Sequence, residues 1–231
     1  MATYLELCQK VARESGTISG TQPTSVTSQN GRLLLIVQQV AESWREIQAS
    51  RNAWQFLFKT WQGNLLIGTG CYTPASFNLT DHARWVTDGQ VTEAMSLYDP
   101  AIGVSDEAAL YETDWWLWRR TYDRGSQEQA RPSVYAVSAA NELCFGRLPD
   151  KAYTVRGAYY RTPQALSDNA DTPLCPERYH DVIAWHARMK LGGYDEAEWP
   201  TSRAQQQYRA IMQDLDRDQL PAMANHTGPL A

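Results

Sequence analysis

Residues 152–162, AYTVRGAYYRT, change side at every step: Tyr153, Val155, Gly157 and Tyr159 on one side, Thr154, Arg156, Ala158 and Tyr160 on the other. A period of two belongs to an extended strand, whose successive side chains point to opposite faces. Two more β-favouring pieces precede it, SVYAVS (133–138) and NELCFGRL (141–148), and the turn residues SAAN and LPDK separate the three. That is the spacing of a β-meander. Further upstream lie QFLFKTW (55–61), ARWVT (83–87), TEAMSLY (92–98) and EAALYET (107–113), divided by Gly, Pro, Asn and Asp. Seven short pieces of this kind predict an antiparallel, sandwich-like or curled sheet.

Both ends of the chain switch to helical periodicity. Thr3 with Glu6 has capping-box spacing, and Tyr4, Leu7, Cys8, Val11 and Ala12 follow as an apolar stripe, with Gly16 as the expected stop. A Gly/Ser/Thr/Pro-rich loop leads to a second helix, capped by Thr27 or Ser28, with Leu33, Ile36, Val37, Val40, Trp44 and Ile47 as its stripe. Near the other end, Pro176 suits a first helical position. Tyr179, Val182, Ile183, His186 and Met189 form a stripe that should end at Gly192–Gly193. Beyond Pro200, a Ser202–Gln205 box starts a last helix with Ala204, Tyr208, Ile211, Met212 and Leu215 inward. The fold class expected is α+β: a small helical bundle made of 1–54 and 174–219, with a β-rich insertion at 55–173 and an extended arm at 220–231.

One segment interrupts the strands. Residues 111–125, YETDWWLWRRTYDRG, hold three tryptophans, and the stretch between Asp114 and Gly125 lacks Gly and Pro. The spacing predicts a short helix over 114–124 laid across the sheet. Trp115, Trp118, Arg119 and Tyr122 share one side, while Trp116 and Arg120 fall on another. Core packing with a subunit interface, stacking on nucleic acid, and sugar binding are the three readings this pattern allows.

Composition narrows them. The chain has 231 residues, 43% hydrophobic and 20% charged, with nine Trp and twelve Tyr, enough for a packed core. Net charge is −5 and the isoelectric point is near 5.4, opposite to a protein that grips a phosphate backbone. The start, Met-Ala-Thr, shows no export signal, and LLLIV (33–37) is far too short to span a membrane. The four cysteines, Cys8, Cys71, Cys144 and Cys175, are widely spaced, so reduced and mostly buried thiols are expected. No nucleophile, phosphate-loop or metalloprotease motif occurs, and GTG at 68–70 reads as a turn. His180 and His186 sit roughly 240° apart around a helix and cannot face one metal. His186 reads as a buried core histidine, His82 as a solvated loop residue, and His226 lies in the tail. If a cryptic enzyme site existed, His82 and His186 would be first suspects. Asp214, Asp216 and Asp218 read as a solvated acidic surface or as the lining of a passage for DNA. No catalytic residue, metal or cofactor is expected.

The segment TYLELCQKVARESGTISGTQPTSVTSQNGRLLLIVQQVAESWREIQASRNAWQFL (3–57) carries a Tyr-Leu-x-Leu first helix, a Ser-Gly-x-x-Pro-Thr loop and a long helix ending in Trp-x-x-Ile-Gln. It resembles the start of bacteriophage head–tail adaptor proteins, also called connector or head-completion proteins, which lie below the portal. The resemblance runs on through RPSVYAV (131–137), DKAYTVRGAYYRTPQAL (150–166), LCPERYHDVIAWHARMKLGGYDEA (174–197) and YRAIMQDLDRDQLP (208–221). It implies a structural, non-enzymatic virion protein, assembled in the host cytoplasm. Such proteins form a homo-oligomeric, dodecameric ring that joins portal to tail and continues the DNA channel. The resemblance implies a helical ring wall, and a β insertion facing tail nozzle, tail-tube or tail-fibre proteins. It implies an arm reaching the portal, here Leu220, Pro221, Met223 and Leu230. Trp115, Trp116, Trp118 and Arg120 are then candidates for subunit or tail contacts, and Asp214, Asp216 and Asp218 for the channel lining. DNA would pass without specific binding.

Overall fold

The computed structural model describes residues 2–15, 22–87, 93–195 and 198–220. It is α+β, with two compact units: Met1–Leu57 with Pro163–Ala231, and Phe58–Thr162.

The first unit is helical. Helix α1 (Tyr4–Glu14) starts at the expected capping box, with Thr3 and Glu6 bonded reciprocally, and buries the five residues of its stripe. Gly16 lies outside the described residues. Helix α2 (Gly31–Ala49) begins later than Thr27 or Ser28 suggested: Asn30 is its N-cap and makes no side-chain cap bond. Helix α4 (Asp181–Tyr194) is preceded by a 3₁₀ turn at Glu177–Tyr179, for which Pro176 is the cap. Gly192 and Gly193 do not stop it; the helix continues through both to Tyr194, because glycine weakens a helix without forbidding it. Helix α5 (Glu198–Gln219) already runs at Ser202, so the Ser202–Gln205 box is interior rather than a start. Helix α4 packs on α1, α2 and α5, and α1 packs on α2.

The irregular segment after Thr162 supplies the polar partners this packing needs. Gln164 accepts from the Trp44 indole (3.1 Å) and exchanges two bonds with the buried Gln48 (2.9 and 2.7 Å). The carbonyls of Asp171 and Asn169 accept from the Tyr4 and Leu5 amides (2.7 and 3.3 Å), which have no partner inside their own helix. Cys8 and Cys175 are free and buried, and burial pushes both thiols up to about 12.

The second unit is a curled mixed sheet of eight strands: β1 (Phe58–Asn64), β2 (Cys71–Tyr72), β3 (His82–Trp85), β4 (Met95–Tyr98), β5 (Ala108–Glu112), β6 (Val134–Val137), β7 (Leu143–Gly146) and β8 (Thr154–Arg161). The alternating stretch forms β8. Along one edge it pairs with all of β1, from Phe58 opposite Tyr160 to Asn64 opposite Thr154. On the other edge, β3 takes its last residues and β4 its first. The path continues β4-β5-β6-β7-β2. Aromatic and aliphatic residues from both ends of this path, among them Trp61, Trp85, Val155, Tyr135 and Phe145, meet in one core.

The β unit departs from expectation in strand direction and in thiol state. The sheet is not purely antiparallel, because β5 and β6 run parallel. Between them lies helix α3 (Trp115–Tyr122), and parallel neighbours require such a crossover. The thiols are not all reduced, because Cys71 and Cys144 form a disulfide. They are register partners on β2 and β7, with Cα atoms 4.0 Å apart. Strand β2, two residues long, is also the one strand absent from the sequence reading.

His186 is 92% buried, since its relative exposure is 8%. It stacks on Tyr208 at 4.7 Å and lies 3.7 Å from Glu46, with Lys190 bridging Glu42 and Glu46 beside it. Burial holds its imidazole below the ordinary 6.5, against the pull of Glu46. His82 is not a solvated loop residue: it sits on β3 against Trp85 (4.0 Å) and Tyr159 (5.5 Å). Burial lowers it too, against Asp81. Both folded imidazoles therefore take up a proton at lower pH than the unfolded ones, so the stability they carry is full above about pH 6.5 and lost as pH falls. Unfolding free energy should decline below that pH by at most about 1.4 kcal/mol per pH unit for each histidine. Thermal unfolding of His186→Phe across pH 5–8 should show a flatter profile than the parent chain.

Candidate interaction site

The tryptophan-rich helix is held by a match of large to small. On β2, β6 and β7 the residues alternate between two faces. One face presents Tyr72, Tyr135, Leu143 and Phe145 to the aromatic core. The other presents Cys71, Ala136 and Cys144, and Trp115, Trp118 and Tyr122 of α3 pack there. Gly146 completes this shallow seat, since a Cβ at that position would lie 2.5 Å from the Tyr122 ring. Trp118 is buried, and Trp115 stacks on it with ring centroids 5.3 Å apart and planes nearly parallel. Asp114 caps the helix by accepting from the amides of Trp116 (2.9 Å) and Leu117 (3.1 Å).

The opposite side of α3 is bare. Trp116 is 68% exposed and Leu117 45%. Among the described tryptophans, Trp44, Trp54, Trp61, Trp85 and Trp118 are buried and Trp115 and Trp185 are partly covered, so Trp116 alone stands in solvent. Asp114, Trp116, Leu117, Arg119, Arg120 and Arg124 line an open depression of about 440 Å³. Arg119 turns away from the seat, contrary to its expected side; it pairs with Asp123 at 3.4 Å and lies 5.9 Å from the Trp116 ring. A platform of three stacking rings is therefore excluded on this helix: Trp118 is spent on the sheet and Trp115 on Trp118. Trp116 and Arg120 remain together on the accessible face. The sequence reading missed Leu117 and Arg124. Four consecutive apolar residues, WWLW, cannot share one helical face, and that was the available signal for Leu117.

The acidic end of α5 is not an unpaired cluster. Asp214 meets Arg217 at 3.3 Å and Asp216 meets Arg51 at 3.0 Å. Asp218 meets Arg178, which holds its carboxyl below the usual range. The three charges are matched locally. Of the expected arm residues, Leu220 donates its amide to the Asp216 carbonyl at 3.1 Å, while Pro221, Met223 and Leu230 lie outside the described residues, as does His226. Among the described residues, no three potential metal ligands cluster, and no helix is long and apolar enough to cross a membrane.

The seat makes a measurable distinction between adjacent tryptophans. Trp118→Ala should cost about 3–5 kcal/mol, and Trp116→Ala should stay within about 0.5 kcal/mol of the parent chain, both read from denaturant unfolding. Reducing the Cys71–Cys144 bond should remove about 2–4 kcal/mol, seen as a lower unfolding midpoint with dithiothreitol.

A family model described as SU10 adaptor protein matches residues 2–230. No curated protein matches the chain.

Proposed function

Because the chain belongs to the SU10 adaptor protein family, a family of structural phage adaptors and not of enzymes, we propose that it forms a closed homo-oligomeric ring, dodecameric in number, that joins portal to tail. The helical unit would build the ring wall, the β unit would act as a sandwich-like lobe turned toward tail nozzle, tail-tube or tail-fibre proteins, and residues 220–231 would reach the portal. The observation that carries an adaptor role is the α3 surface. An indole 68% exposed beside Leu117, on a helix whose other face is locked to the sheet, is a rigid apolar anchor of the kind that dominates interface energies. Ring closure itself would come from heterologous contacts between identical copies elsewhere on the chain, which close when the rotation permits.

The α5 end is the proposed channel lining. Its paired carboxylates offer a nearly neutral wall, which suits DNA that slides through without being held. Particle location follows from the same reading.

Mixing the purified chain with its portal and imaging by electron microscopy should show rings stacked on portal rings. Deletion of residues 221–231 should abolish that co-assembly. A chain that stays single beside portal at high concentration, and is missing from mature particles, would end the proposal.

A further inference from the structure

The exposed side of α3 carries a charge signature that separates possible occupants. Arg119, Arg120 and Arg124 outnumber the one carboxylate, the helix cap Asp114, around the Trp116 and Leu117 depression. Arg119 has Asp123, and among the described residues Arg120 and Arg124 have no carboxylate partner. Two uncommitted guanidiniums beside an exposed indole, on a chain of net charge −5, form a local cationic and aromatic patch against an acidic background. From this, and resting on the reading of α3 as an interface, we infer that the patch docks a short acidic segment of a different virion protein, one that sets carboxylates on Arg120 and Arg124 and an apolar or planar side chain on Trp116.

Charge complementarity favours this occupant over two others. A second copy of this chain is a poorer match, because many of its described carboxylates already have cations. In the helical unit Asp181, Asp195 and Asp216 are held by Lys10, Arg32 and Arg51. In the β unit Asp81, Asp106 and Glu107 are held by Lys59, Arg131 and Arg156. Nucleic acid is disfavoured by number: backbone binding draws on many phosphate contacts, and this patch supplies two or three cations on a negatively charged molecule. Arginine instead suits bidentate pairing with carboxylates, and it packs flat against aromatic rings.

The test places the photo-crosslinking residue p-benzoylphenylalanine at position 117, and separately at 124, in the full chain, and irradiates assembled particles. The expected product is a crosslink to a different virion protein, at a segment with a surplus of Asp and Glu. The charge reversal Arg120→Glu with Arg124→Glu should lower the yield at 117 by about tenfold, while Arg120→Lys with Arg124→Lys retains most of it. A crosslink to DNA, to another copy, or to a neutral or basic segment overturns the inference and leaves the adaptor reading standing, as does an uncrosslinked chain present in particles. Exclusion of both crosslinker variants while the parent chain assembles assigns the face to copy-to-copy packing and also overturns it. Absence of the parent chain from particles removes both readings.

Discussion

The β unit depends on a strip of three strands that has to bury both of its faces. Strand β7 shows it most plainly, with all four residues from Leu143 to Gly146 buried. One face can be filled by the sheet curling over its own aromatic residues. The other can be covered only by an added element, and α3 is that element. It arrives within the crossover between β5 and β6, residues 113–133, so one connection sets the strand direction and closes the second face. The residues of the seat are small because the rings that fill it are large. Close packing makes that complement specific, and the disulfide fixes the outermost, two-residue strand to it. What remains outside is the back of the helix, which is where a partner can reach.

The helical unit solves a different problem. Its apolar stripes pack without difficulty, but Trp44, Gln48 and the first amides of α1 carry polar groups into the packing. Buried donors without partners are costly. The segment from Pro163 to Thr172, which has no regular structure, meets them one by one through Gln164, Asn169 and Asp171. A connection in appearance, it is a structural member of the unit.

Periodic features were the legible ones. The α1 box, the stripes of four long helices, the cap at Asp114 and a strand within each of seven β-favouring pieces follow from local spacing. What escaped is set by distant neighbours. Cys71 and Cys144 are 73 residues apart, and only the register of β2 on β7 reveals that they face each other. The parallel pairing of β5 and β6 depends on where the chain returns after α3. His82 reads as solvated in its local context, yet Trp85 and Tyr159 pack against it. At the candidate site the sequence separated Trp118 from Trp116 correctly but put Arg119 on the wrong side. Three of four residues in WWLW are apolar rings, and which of them bury is decided by the seat beneath.

The β unit begins at β1 and ends at β8, and these strands are paired from Phe58 opposite Tyr160 onward. The chain therefore leaves the lobe beside the place it came in. A lobe tethered by two adjacent strands imposes almost no span on the helices that host it. It can be exchanged, enlarged or lost by recombination with little loop-closure cost. The geometry makes the lobe a replaceable cassette carried by one helical scaffold.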